Sequence, residues 1–558
     1  MKKIFKKLST VAAIAVVAFA GTGCQDYLQA SSSTDVTDEV ALSNTNNIEM
    51  LLRGVYKGIF VGGNVASADR IQNGMTGLMS WYDVAGVDIT SAGGLGGGEH
   101  TGYSFAPGRT QSSDLNTRVI WTQYYDHINR CNIIIDALPA ATGPDADKAY
   151  ITGQAKALRA ISYFTLVMNY QQTYAIAKNK RGVILRLKAN DPASMPFSTV
   201  EQVYAQIIKD FTEAKTALAG FNPGNVWQIT PEIVNAWLAR VYQVKGDWTN
   251  AYSCANEVYK NHTTLLTKEQ WYTGFDDFIR NGYNELVWGY TNTEKTSASY
   301  NTMYNMWHNS DPSLGEGNSP CIYSFMAYYA THQYVNLFDD QDWRGARLET
   351  TLEQHKAGGL TAEQEVNDAN IQKVMFWHRV NSAAENRAHK WAYNKFKHYG
   401  ESGNMRADIC LIRSAEMLLI MAEAKAYSNT GEALTLLNTL QRARNVKNLT
   451  TTTVKEDLLE AIYIERRKEL LGEGVTGMYD ANRLQKDLTR EVADASNNDA
   501  GHFVDGLGYW GTKSSDGKTS TLKHNDYKYF LQIPDYEFAR NTEIQGTEGQ
   551  NQNPFEGK

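Results

Sequence analysis

Four groupings of charged or reactive side chains invite a chemical reading. Glu416 and Glu423 form the pair of carboxylates that a glycoside hydrolase would need. Seven helical residues separate them by about 10.5 Å along the axis, beyond the roughly 6.5–9.5 Å of inverting enzymes and about twice the retaining distance. Each is more simply the partner of a nearby cation such as Arg413, and neither is assigned a catalytic role. Glu465, Arg466, Arg467 and Glu469 form a second grouping. Two glutamates one turn apart repel unless arginines intervene, so an internal ion-pair network is expected there.

Metal chemistry finds little support. The 11 histidines are scattered, H-E-x-x-H is absent, and His378, His389 and His398 are too widely spaced to share one helical face easily. The stretch "DASNNDAGHFVD" offers Asp494, Ser496, Asn498 and Asp505 in loose calcium-loop order, but Asp499 stands where that loop requires glycine. The glycine run at 93–98 lacks the Lys-Ser/Thr of a phosphate-binding loop. No cofactor is expected.

A single cysteine, Cys24, follows Lys2, Lys3, Lys6 and Lys7, an apolar run from Val11 to Ala20, and the small residues Gly21 to Gly23. This is the layout of an export signal, residues 1–23, and it is too short to span a bilayer. Gly21 replaces the leucine usual in a bacterial lipobox, so plain secretion is the rival reading. Lipidation of Cys24 is preferred because it directly follows the cleavable small residues. Losing the signal's four lysines takes the formal charge from −7 to −11, which argues against nucleic acid as partner. Cys131, Cys254, Cys321 and Cys410 show no metal-type spacing, and three of the four fall in helical patterns that suit buried free thiols.

The elements that must position these groups are mainly helices. In "TPEIVNAWLARVYQVKGDW", Thr230 suits an N-cap, Pro231 the first turn and Gly246 a left-handed stop. Asp247 then begins a partner helix. Ala157, Leu158, Ala160 and Tyr163 repeat the same small-and-aromatic grammar, as do Ala415, Leu418, Ala422 and Tyr427, on the pattern of tetratricopeptide hairpins with irregular spacing. Trp237, Tyr242, Tyr163 and Phe164 are expected in the core. Residues 61–115 and 283–404 lack helical period and read as loops with a few short strands such as "NELVWGY". Trp81, Tyr82, Tyr103, Trp288, Tyr290, Tyr304, Trp307 and Tyr323 fall in these two stretches. Such aromatic-rich loops on a rigid frame are where binding residues concentrate, a flat ring covering the apolar face of a sugar while amides and carboxylates bond its hydroxyls.

Eight motifs in order then carry a resemblance: "CQDYL", "WTQYYDHINRCNIII", "QAKALRAISYFTLV", "TPEIVNAWLARVYQVKGDWTNA", "RSAEMLLIMAEA", "LNTLQRAR", "IERRKEL" and "LQIPDYEFARN…QNQNPF". The chain resembles the SusD/RagB family of outer-membrane nutrient-binding lipoproteins of Bacteroidetes. The resemblance implies a mostly α fold over 24–558, with a tetratricopeptide-like frame at 40–60, 116–270 and 405–490, loop-rich ligand-face regions at 61–115 and 283–404, and a C-terminal segment 491–558. It further implies a lipid anchor at Cys24, a location on the outer membrane facing the exterior, and a SusC-like TonB-dependent transporter as partner. The bound cargo would be a glycan or, in some members, a peptide, with Asp88, Tyr103, Tyr304, Trp307 and Tyr323 as candidate contacts and no covalent chemistry. A glycoside hydrolase and a scaffold that binds only protein are the alternatives from other classes. The sequence departs from the family pattern at "NYQQTYAIAKN" and at "GEGVTGMYDANRL", which leaves the local loop geometry there open.

Overall fold

The computed structural model describes residues 38–61, 74–91, 112–113, 115–273, 275, 277–291, 328–348, 373–378, 391–396, 408–491, 512–524 and 526–545. Cys24, Tyr103, Tyr304, Trp307, Cys321, Tyr323, the 93–98 glycine run and the 494–505 segment lie outside these residues.

Helices dominate, as the small-and-aromatic patterning requires. They are α1 (Thr45–Val61), α2 (Gly74–Val84), α3 (Leu115–Ala137), α4 (Asp145–Tyr170), α5 (Val200–Ala217), α6 (Pro231–Lys245), α7 (Trp248–Tyr259), α8 (Ser414–Ala426), α9 (Thr430–Ala443), α10 (Lys455–Leu470) and α11 (Met478–Leu484), with shorter turns between them. Local chemistry sets their ends. The Thr230 side chain accepts from the Ile233 N–H, Pro231 occupies the first turn of α6, and Gly246 stops it at φ 76°. Asp247 caps α7, and Thr199 forms a reciprocal capping box with Gln202 at the start of α5.

From α3 to α7 each helix packs on the next in the chain, and α1 lies against α3 and α4. Small residues make the close approach possible: Ala155, Ala157 and Ala160 of α4, Ala236 and Ala239 of α6, and Ala415 and Ala422 of α8 are all fully buried. Trp237, Tyr163 and Phe164 are in the core as expected, whereas Tyr242 is only partly buried at its edge. The stack then continues from α7 directly to α8, although the whole 260–413 stretch separates them in the chain. The loop-rich region is therefore an insertion between two adjacent helices of the repeat.

One expectation for the loop-rich regions fails in an instructive way. Residues 74–84 are a helix, and every one of them is buried. A helix enclosed on all sides has no polar face, so its sequence shows no amphipathic period. Trp81 and Tyr82 on it belong to the core. Trp288 is likewise fully buried, its Nε1–H donating to the Trp227 carbonyl at 3.0 Å. It sits on β2 (Leu286–Thr291), the strand expected from "NELVWGY", which pairs antiparallel with β7 (Asp408–Arg413). Gly289 is required in that strand, since a Cβ there would approach the Ile409 carbonyl to 2.7 Å. Cys131 and Cys254 are free thiols on α3 and α7, while Cys410 is a free thiol on β7 rather than on a helix.

A five-stranded sheet ties both loop-rich regions together. Its order is β1 (Ile89–Ser91), β3 (Tyr328–Ala330), β6 (Trp391–Tyr393), β5 (Phe376–His378) and β4 (Arg347–Leu348), antiparallel except for the last pair. Phe376 and Tyr393 stack across it at 4.8 Å. A third sheet joins β8 (Leu488–Glu491), β10 (Thr519–Leu522) and β9 (Thr512–Lys513).

Candidate functional site

The floor of the loop-rich region is a buried cluster of charge. Glu469, on α10, receives guanidinium N–H groups from Arg344 at 2.7 Å, Arg413 at 2.6 Å and Arg444 at 2.7 Å. Arg344 also pairs with Asp342 at 2.7 Å and Glu465 at 2.6 Å. Arg413 also pairs with Glu285 and with Glu473, the latter at 2.8 Å. Lys395 donates to Glu473 at 2.7 Å and to the carbonyls of Glu469 and Leu471. Lys468 reaches Asp342 at 2.6 Å.

Five cations thus meet five anions, none of them more than 5% exposed. Burial alone would raise the Glu469 pKa, but Arg444, Arg413 and Arg344 outweigh it and hold the carboxyl well below the usual range. Glu473 is lowered in the same way, burial being overcome by Arg413 and Lys395. The "IERRKEL" motif is therefore the network its sequence suggests, but its arginines point elsewhere. Arg466 pairs with Asp480 at 2.7 Å, and Arg467 pairs with Asp88. The cations that separate Glu465 and Glu469 come from the insertion and from Arg444, which caps the C-terminus of α9.

The same geometry corrects the partners of Glu416 and Glu423. Glu416 is held by Arg240 through two 2.7 Å hydrogen bonds, and Glu423 by Arg483 at 2.6 and 2.9 Å, with Gln243 at 2.7 Å. Arg413 contacts neither. Both carboxylates are committed to guanidinium groups inside the stack, which leaves this pair unsuited to acid and base catalysis.

The departure at "GEGVTGMYDANRL" is a loop turned by Gly472, Gly474 and Gly477, all at positive φ. Asp83 of α2 pins it, accepting from the N–H groups of Gly472 at 2.9 Å and Gly474 at 3.4 Å and from the Thr476 hydroxyl. Burial pushes the Asp83 carboxyl up to about 7 despite these donors. A Cβ on Gly477 would meet the Tyr82 carbonyl, so the loop lies directly on α2.

Asp88, the one candidate contact within the described residues, is 1% exposed. Its carboxylate accepts from Arg467 at 2.5 and 2.9 Å, and its carbonyl accepts from the Thr331 N–H at 2.9 Å. It ties the root of β1 to α10 and to the end of β3. From there the register decides which chain segments are neighbours: Ile89 faces Ala330, Thr90 faces Tyr329 and Ser91 faces Tyr328. Ser91 is the last described residue before the segment bearing Tyr103, and Tyr328 the first after the segment bearing Tyr304, Trp307 and Tyr323. Both segments thus join the described fold at one paired position. Neither this pairing nor the Asp88–Arg467 bond is legible in the sequence, because both depend on contacts between residues far apart in the chain. The described residues contain no cluster of three or more metal-ligating side chains.

Comparison with known proteins adds the remaining observation. Residues 284–555 match the model of the SusD family, and residues 26–243 match a model described as starch-binding associating with outer membrane. The chain belongs to the SusD/RagB family. SusD-like proteins of these models are carbohydrate-binding rather than catalytic and are associated with the outer membrane. No curated protein matches the chain. Among solved structures, a SusD-like carbohydrate binding protein from Bacteroides vulgatus ATCC 8482 superposes with a TM-score of 0.70 at 23% identity, covering 90% of this chain and 97% of its own. A SusD superfamily protein from Bacteroides thetaiotaomicron VPI-5482 gives 0.67 at 21% identity, covering 91% and 100%. A laminarin binding SusD-like protein gives 0.62 at 20% identity, covering 89% and 98%. At these identities the likeness is one of fold, and it bears out the mostly helical SusD-like architecture.

Proposed function

We propose that this SusD-like chain is a lipoprotein anchored through Cys24 on the outer face of the outer membrane. There it captures an oligosaccharide or polysaccharide and passes it, chemically unchanged, to a SusC-like TonB-dependent transporter. The family match across both halves of the chain carries this reading. The β1–β3 register supports it, since it joins the two aromatic-bearing segments at one place on a base locked by buried charge. Tyr103, Tyr304, Trp307 and Tyr323 are proposed as ring platforms for sugar faces. Asp88 has a supporting part in this scheme: it holds β1 in register through Arg467.

Titration calorimetry and affinity gels with a glycan panel that includes laminarin test the cargo. Binding without release of reducing ends is the expected result. Trp307→Ala and Tyr304→Ala should each weaken binding at least tenfold with an unchanged melting temperature. Binding of peptides but no glycan would move the chain to a peptide-carrying role, and sugar release that survives repurification would make it a hydrolase. Cys24→Ala should shift the protein from the membrane fraction to the soluble fraction, and co-purification with a transporter barrel tests the partner.

A further inference from the structure

Strand β8 lies at the edge of its three-stranded sheet, with Leu488 and Arg490 buried and Thr489 exposed between them, the alternation of a strand with one covered face. Arg490 reaches the turn between α2 and β1. Its Nε donates to the Gly86 carbonyl at 2.8 Å and its Nη2 to the Val84 carbonyl at 3.1 Å. Val84 ends α2, and a cation is favoured at a helix C-terminus. A second hold on β8 comes from the end of β3. Gln333, in the short helix His332–Val335, donates from Nε2 to the Thr489 carbonyl at 3.1 Å and accepts at Oε1 from the Glu491 N–H at 3.4 Å. A side-chain amide bonded in this way at residues i and i+2 takes the place that a peptide group of a neighbouring strand would fill.

Both holds fall beside one rung of the β1–β3 ladder. Gly86 precedes Ile89 by three residues, Gln333 follows Ala330 by three, and Ile89 faces Ala330. The ladder has three rungs, and two strands of that length are marginal by themselves. Arg467 supports it through Asp88 on the β1 side, the Ala330–Trp391 pairing with β6 supports it on the β3 side, and Thr331 bonds the Val87 and Asp88 carbonyls across it. Strand β8 adds something different, because one strand is bonded to the chain on both sides of the ladder at once.

We propose that β8 clamps the base of the cargo site, with Arg490 and Gln333 as positioning residues that set where the chain leaving Ser91 stands relative to the chain arriving at Tyr328. The proposal rests on the glycan-capturing reading above. A binding surface whose parts are held in place before cargo arrives loses less freedom on binding, so the clamp acts on affinity without touching the sugar.

Gln333 is half-buried, so Gln333→Ala removes one hold without opening the core. With laminarin, or whichever glycan of the panel the parent protein binds, its affinity should fall at least fivefold in titration calorimetry at an unchanged melting temperature. Amide exchange at 89–91 and 328–330 should rise at least tenfold in the free protein, with α6 and α7 unchanged. Gln333→Glu keeps an acceptor for the Glu491 N–H but, once ionised, cannot donate to the Thr489 carbonyl, and it should lose affinity likewise. Arg490→Lys keeps the charge without the fork that spans two carbonyls and should lose more. If it fails to fold, the two Gln333 variants decide. Unchanged exchange at the ladder in Gln333→Ala overturns the clamp, and raised exchange with unchanged affinity overturns the positioning role. Trp307→Ala separates this proposal from the cargo reading, since it should lose affinity with exchange at the ladder unchanged. A parent protein that binds no glycan sinks the cargo reading and the positioning role with it, while the exchange comparison still decides the clamp.

Discussion

The helical stack and the loop-rich insertion are built by different physics. Between α3 and α7 the contacts are mostly apolar, with alanines letting helices close on rings such as Trp237 and Tyr163. Ion pairs there, such as Arg159–Asp210 at 2.7 Å, are isolated. The described residues of the insertion instead form strands of two to six residues, and they are joined to α10 through ten buried charges centred on Glu469. An apolar seam tolerates adjustment, whereas a fully paired ionic one has few alternative arrangements and loses much when one member is removed. The difference teaches that short strands can be fixed in place by buried charge where long helices rely on apolar burial.

The severest way to break this contrast is Glu469→Ala, which strips three guanidinium groups of a shared acceptor. A loss of about 3–5 kcal/mol is expected in chemical denaturation. Hydrogen exchange should rise first at β3, β5 and β6, with α6 and α7 still protected. A uniform rise would mean that the two regions are one cooperative unit. Leu158→Ala, in the apolar seam of α4, should cost about 2–5 kcal/mol, with exchange rising in the stack instead.

Two pH responses of opposite sign sharpen the comparison. Asp83, on α2 against the Gly472–Gly477 loop, has its pKa raised by burial from 3.8 to about 7. Its contribution is complete below about pH 4 and is lost as pH rises through about 7. His127, inside the stack against Gly58, has its pKa lowered by burial from 6.5 to about 4. Its contribution is complete above about pH 6.5 and is lost as pH falls through about 4. Asp83→Asn should therefore flatten the neutral limb of a melting-temperature profile and His127→Gln the acid limb. Thr230→Ala, removing one cap, should cost about 1 kcal/mol. Arg53→Ala on the exposed face of α1 should change stability by no more than about 0.5 kcal/mol.

What could be read from the sequence follows the same divide. Both ends of α6 and the start of α7 are fixed by Thr230, Pro231, Gly246 and Asp247, all local signals, and the structure has them where those residues stand. The buried network at "IERRKEL" was legible as a network, because paired like charges demand counter-ions. Its membership was not, since Arg344, Arg413 and Arg444 come from three distant segments. Arg413 was readable as a cation near Glu416, yet the fold turns it toward Glu469 and Glu473 and brings Arg240 to Glu416 instead. Helix α2 is not legible as a helix because it has no polar face to give its sequence a period. Of the candidate contacts, Asp88 alone falls within the described residues, and it is spent on Arg467.

The ladder between Ile89–Ser91 and Tyr328–Ala330 has only three rungs, and it is bonded through backbone. Whatever residues are written into the stretches that leave Ser91 and arrive at Tyr328, those rungs need not change. A chain with this fold can thus take substitutions in two distant passages of its gene while the junction between Ser91 and Tyr328 stays put.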